Sequence, residues 1–230
     1  MSTMNESPIS TTKTSTSRPI GEVRSSNKVL RNTYMLLSLT LLFSAATAGA
    51  AMVLKLSHPG IIVTLLGYFG LLFLTSKFRG SGLGLLFVFG LTGFMGYTLG
   101  PILNAYIGLP NGSQMVMTAM GATGIIFLAL SAYVLTSRKD FSFMGGFLMV
   151  GVIVAFLAGL GAIFFEMPGL SLAVSAMFVL LMSGMILYET SNIIRGGETS
   201  YIMATVSLFV TIFNLFTSLL HLLGFSNSNE

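Results

Sequence analysis

The chain has no cysteine and no tryptophan, and only 8 % of its 230 residues are charged. Without cysteine there is no disulfide framework, no thiolate metal site and no cysteine nucleophile. Without tryptophan, Tyr34, Tyr68, Tyr97, Tyr106, Tyr188 and Tyr201 are left as the rings suited to a membrane–water interface. Aspartate is nearly missing too: Asp140 lies between apolar runs and none lies within one, so an aspartyl intramembrane protease has no dyad to work with. The histidines are His58 and His221, far apart and without neighbouring ligand types, which excludes a metal cluster. No Gly-x-Ser-x-Gly elbow supports a serine nucleophile with His221 as its base. These absences together argue against an enzyme, and they call for no cofactor.

What the chain has in excess is apolar surface: 53 % of residues are hydrophobic and the mean hydropathy is +0.88. A soluble domain of this size cannot hide that much, whereas an all-α polytopic membrane protein can, because its exterior faces lipid. Seven stretches are long enough to span about 30 Å of hydrocarbon: Thr33–Leu54, Ile61–Ser76, Leu83–Ile107, Met115–Thr136, Phe147–Phe165, Leu170–Ile194 and Ile202–Leu223. The second is short and the third long, so a tilt or a re-entrant start is expected in both.

The net charge of +4 reports topology rather than nucleic-acid binding. With the N-terminus inside, Lys13, Arg18, Arg24, Lys28, Arg31, Lys77, Arg79, Arg138, Lys139 and Arg195 all fall on the cytoplasmic side, and Lys55 alone falls outside. That asymmetry predicts an N-in, C-out orientation, with 226–230 as a periplasmic stub. The small residues Ala45 to Ala50 mimic a signal-peptidase site. The preceding basic region is far too long, however, and the apolar run continues past it into further spans, so no cleavage is expected. Residues 1–28 are rich in Ser and Thr and poor in large apolar groups, which predicts a disordered cytoplasmic tail. Such a tail serves either as a passive leader or as a handle for another protein.

Within the spans, Glu189 is the one carboxylate at membrane depth. An ionisable group there costs several kcal/mol unless it finds a partner or water, so it marks a functional position. The competing reading puts it at headgroup level, since about five residues, ~7 Å of helix, separate it from Arg195. On the last span Ser207, Thr211, Asn214, Ser218 and His221 step by four, three, four and three and share one helix face. Lipid offers such a stripe no partners, so it is expected to face the interior or a wet cavity. It acts there as packing glue or as the wall of an ion or proton pathway, with His221 near its outer end. Gly151, Ala155 and Gly159 on the fifth span, and Gly93, Gly96 and Gly100 on the third, mark close helix approaches, with Pro101 next in line.

Several blocks carry a resemblance. Lys28-Val29-Leu30-Arg31-Asn32-Thr33-Tyr34, Gly100-Pro101-Ile102-Leu103-Asn104, Ser131-Ala132-Tyr133-Val134-Leu135-Thr136 and Glu189-Thr190-Ser191-Asn192-Ile193-Ile194 with Gly196-Gly197-Glu198-Thr199 resemble the Bax inhibitor-1 family. The likeness runs from Lys28 to Phe225 and is strongest to bacterial inner-membrane members that modulate the FtsH protease. It implies a seven-helix bundle with the last helix central. It also implies FtsH as partner, alone or with its associated membrane regulators, and a role in limiting attack on membrane proteins. The broader family implies a pH-sensitive calcium or proton leak governed by two facing carboxylates. One of that pair falls on Glu189, but the matching position on the last helix is Thr211, which cannot ionise. One carboxylate with hydroxyls is poor provision for an ion that takes six to eight oxygens. The ion- or pH-sensing candidates are therefore Glu189, Thr211, Asn214 and His221.

Overall fold

The computed structural model describes residues 20–227, and within them every regular element is helical. In chain order these are α1 (Ile20–Val53), α2 (Ile61–Lys77), α3 (Gly82–Ile107), α4 (Gly112–Ser137), α5 (Gly145–Phe164), α6 (Pro168–Ile194) and α7 (Tyr201–Asn227). A single 3-10 turn, Ser142–Met144, leads into α5. Each expected apolar stretch has become one helix. Six are long and apolar enough to cross a membrane, while α2, with 17 residues, is apolar but shorter. Neither α2 nor α3 has the re-entrant break that their lengths suggested. Pro101 sits inside α3 without ending it, because its lost N–H affects one bond in a helix of 26 residues.

Two expected boundaries move. Composition places the end of the tail at residue 28, yet α1 begins at Ile20. No proline interrupts 20–53, and a helix once nucleated propagates at little cost through Ser, Asn and Lys. The remaining tail residues, 1–19, lie outside the described residues. At the other end α7 runs to Asn227, so the expected stub at 226–230 is partly helix and partly outside the described residues.

Glycines set the tightest seam, between α1 and α3. A Cβ on Gly93 would meet the Phe43 ring at 2.7 Å, one on Gly100 would meet Ala51 Cβ at 2.5 Å, and one on Gly96 would overlap the Ser44 carbonyl. Backbones can approach that closely in lipid only where side chains are absent. The α5–α6 seam is similar: Ala155 is fully buried and a Cβ on Gly151 would strike Leu181 at 2.6 Å.

The last helix is central. α7 packs against α6, α4 and α1, and more lightly against α3 and α2. Half of its most apolar window is buried, against 17 % for the window containing α5, which packs chiefly on α6. The apolar side of α7, with Phe209, Ile212 and Leu220, is consequently core rather than lipid-facing.

Candidate functional site

α6 starts at Pro168, where a missing N–H costs nothing, and runs 27 residues to Ile194. Glu189 lies five residues before that end and is 6 % exposed. The carboxylate is therefore covered by the protein's own helices. Thr211 on α7 donates its hydroxyl to Glu189 Oε1 at 3.4 Å, a long bond. Ser207, one turn earlier on α7, stands beside the same carboxylate. The second oxygen, Oε2, is buried and has no hydrogen-bond partner. The long bond and the unmet oxygen make this a loosely held carboxyl.

The α7 stripe is less uniform than its spacing suggested. Thr211 and Ser218 are buried, Asn214 and His221 are half-buried, and Ser207 is exposed. Only part of the stripe is therefore covered by neighbouring helices. It straddles the flank of α7 that its neighbours cover least, the strip through Met203, Ser207, Val210, Asn214, Thr217 and His221. The rings of Phe69 on α2 and Phe156 on α5 meet edge to face, 6.1 Å apart. Asn214 does not reach Glu189, since its Nδ2 donates to the Val210 carbonyl of its own helix at 2.8 Å.

His221 belongs to a separate site at the other end of the α6–α7 seam. Its Nδ1 is 2.7 Å from Ser175 Oγ, and that hydroxyl also reaches the Ser171 carbonyl at 3.0 Å. Ten residues, ~15 Å of helix, separate His221 from Thr211. The structure therefore joins Glu189 with Thr211 and places Asn214 and His221 elsewhere. Ser175 escaped the sequence reading. The signal was present, because Ser175 and Glu189 are fourteen residues apart and so share one face of α6.

The α4–α5 connection is fastened to α6 just beyond Glu189. Ser191 Oγ accepts the Phe141 N–H at 3.1 Å and donates to the Lys139 carbonyl at 3.3 Å. Arg195 pairs with Asp140 at 3.3 Å and donates to the Arg138 carbonyl at 3.1 Å. Arg195 and Asp140 are 30 % and 50 % exposed, so solvent screens their attraction. Lys139 lies over the Tyr133 ring, whose hydrogen bond holds its ammonium above the usual lysine range. No group of three or more potential metal ligands occurs among the described residues.

A bundle of long apolar helices around a central α7, with one carboxylate locked inside it, defines a multi-pass helical membrane protein. The chain belongs to the Bax inhibitor-1 family: the family model described as "Inhibitor of apoptosis-promoting Bax1" matches residues 26–228. It is 55 % identical over 203 residues to the "Modulator of FtsH protease YccA" of Escherichia coli, covering 88 % of this chain and 92 % of that one. The same identity and coverage hold for the "Inner membrane protein YccA" of a second Escherichia coli strain. An uncharacterised protein of Pseudomonas aeruginosa is 53 % identical over 211 residues, covering 92 % of this chain and 95 % of the relative.

Proposed function

We propose that this chain is a seven-span protein of the bacterial inner membrane, N-terminus inside and C-terminus outside, that binds the FtsH protease and restrains its attack on membrane proteins. The observation that carries this reading is the 55 % identity over nearly the whole length of a relative named as a modulator of that protease. The match covers 88 % of this chain and 92 % of that relative, so it is not confined to one segment. The orientation rests on the basic residues: Lys77, Arg79, Arg138, Lys139 and Arg195 all sit at one end of the bundle, which becomes the cytoplasmic end. Lipid is the second partner, covering α5 and the outer faces of α2 and α4, where large apolar side chains are exposed. The residues before α1 supply the handle that a protease working from the cytoplasm would grasp.

The test is co-isolation. Tagged full-length protein solubilised from native membranes is expected to bring FtsH with it; its absence from the eluate, with the bundle intact, would overturn the reading. A second reading, a pH-sensitive calcium or proton leak, is favoured by the burial of Glu189 and opposed by Thr211 in place of a second carboxylate. Calcium flux in liposomes separates the two. Flux that rises on Thr211→Asp but is negligible in the wild type fits the regulatory reading.

A further inference from the structure

The corner where α4 gives way to α5 gathers charge and aromatic surface on a fixed backbone. Arg138 caps α4 in the left-handed region, at φ 52°, with its N–H still bonded to the Val134 carbonyl at 2.8 Å. Beyond that turn the Lys139 side chain reaches back to α4. Its Nζ stands 5.6 Å from the centre of the Tyr133 ring, and the Tyr133 phenol hydrogen-bonds the ammonium. The Phe141 ring lies 6.2 Å from that of Tyr133. Ser191 on α6 holds the Lys139 carbonyl at 3.3 Å and the Phe141 N–H at 3.1 Å, so the backbone beneath this cluster is tied down.

The neighbouring acid does not answer the lysine's charge. Asp140 Oδ1 accepts the Ser142 N–H at 2.9 Å and the Ser142 hydroxyl at 2.6 Å, and Oδ2 pairs with Arg195 at 3.3 Å. With that pair cancelled, Arg138 and Lys139 remain as two exposed cations. The ammonium has three N–H donors and gives at most one to the phenol oxygen, so the phenol keeps its own hydrogen to donate. Ammonium and phenol together therefore offer several donors to an anion with several oxygens, such as a phosphate.

The surroundings of this seat are apolar. Ala129 and Ile125, one and two turns deeper on α4, are exposed, Ile125 at 70 %. Phe143, four residues after Lys139, is 79 % exposed. A bare phenylalanine ring that close to a lysine suits the boundary between headgroups and acyl chains rather than bulk water. A zwitterionic headgroup would bring a cation of its own towards Arg138 and Lys139, so the charge favours a lipid with a net negative head.

We propose that Lys139 and Tyr133 seat the phosphate of an anionic phospholipid, whose acyl chain lies along Ala129 and Ile125 of α4. The inference is independent of the protease reading.

Native mass spectrometry of the full-length protein in neutral detergent, titrated with phosphatidylglycerol or with phosphatidylcholine, tests it. Lys139→Gln removes the charge, and Tyr133→Phe keeps the ring while removing the hydroxyl. Each is expected to weaken the tightest phosphatidylglycerol binding by about fivefold and to leave phosphatidylcholine binding unchanged. Lys77→Gln removes a cation from α2 at the same end of the bundle and is expected to change neither. Equal losses in Lys77→Gln and Lys139→Gln would reduce the site to a diffuse basic surface and overturn the proposal. Undiminished binding in both Lys139→Gln and Tyr133→Phe would overturn it too. Millimolar inorganic phosphate is expected to leave the bound phosphatidylglycerol in place; its displacement would contradict the lipid assignment and leave a simple anion site.

Discussion

The two ends of the bundle are built on different plans. At the far end His221 and Ser175 meet at 2.7 Å, Asn104 ties to the Met52 carbonyl at 3.1 Å and Tyr97 to the Ser57 carbonyl at 3.0 Å. At the basic end the cross-helix contact of Glu189 is a 3.4 Å bond, and every unpartnered buried polar atom among the described residues is found there. One end is closed by direct bonds, while the other is polar, buried and loosely satisfied. Hydrogen bonds within a membrane are costly to leave unmade. The basic end therefore combines direct ties between elements with buried polar atoms that the helices leave unmet. It is also the end at which the α4–α5 connection is pinned by Ser191 and Arg195, close beside Glu189.

The contrast can be broken most severely at the glycine seam that carries the tight packing. Gly96→Val is expected to force α1 from α3, since even a Cβ there would overlap Ser44, and to cost about 3 kcal/mol or abolish folding. Recovery of folded protein from detergent-solubilised membranes measures it. Next in size is Glu189→Leu, which leaves Thr211 without its cross-helix acceptor at roughly 1–3 kcal/mol, while Glu189→Gln keeps the shape and costs less. Thermal unfolding of the two variants side by side is expected to rank them in that order. Ser175→Ala removes a short bond at the firm end and is expected to cost about 1 kcal/mol. Weakest is Asp140→Asn. Its ion pair is exposed, so under ~0.5 kcal/mol is expected, shrinking further in high salt.

Much of this architecture was legible from hydropathy alone. Seven apolar runs became seven helices because lipid leaves an isolated segment no other way to satisfy its backbone. Glu189 stood out because it is an ionisable residue within an apolar run, and Gly93, Gly96 and Gly100 because small residues permit close approach. The start of α1 was not legible, since Ser25-Ser26-Asn27-Lys28 has the composition of a tail while its backbone simply extends the helix upstream of the apolar run. The period of the α7 stripe gave its face but not which neighbours cover that face, so the exposure of Ser207 went unseen. Ser175 looked like an ordinary small residue because its partner, His221, is 46 positions away. The pairing of Glu189 with Thr211 came from the family resemblance and not from spacing, since hydropathy does not say which turns of two helices meet.

The central functional claim is that this chain restrains a membrane protease. The most direct measurement is the half-life of a membrane-protein substrate of FtsH, followed by pulse-chase in cells that lack the chain, carry it, or overproduce it. The half-life is predicted to lengthen stepwise across the three. Glu189→Gln, which keeps the side-chain shape, allows the basic end to be compared with a His221→Ala variant at the far end. A half-life that is the same in all three strains would contradict the account.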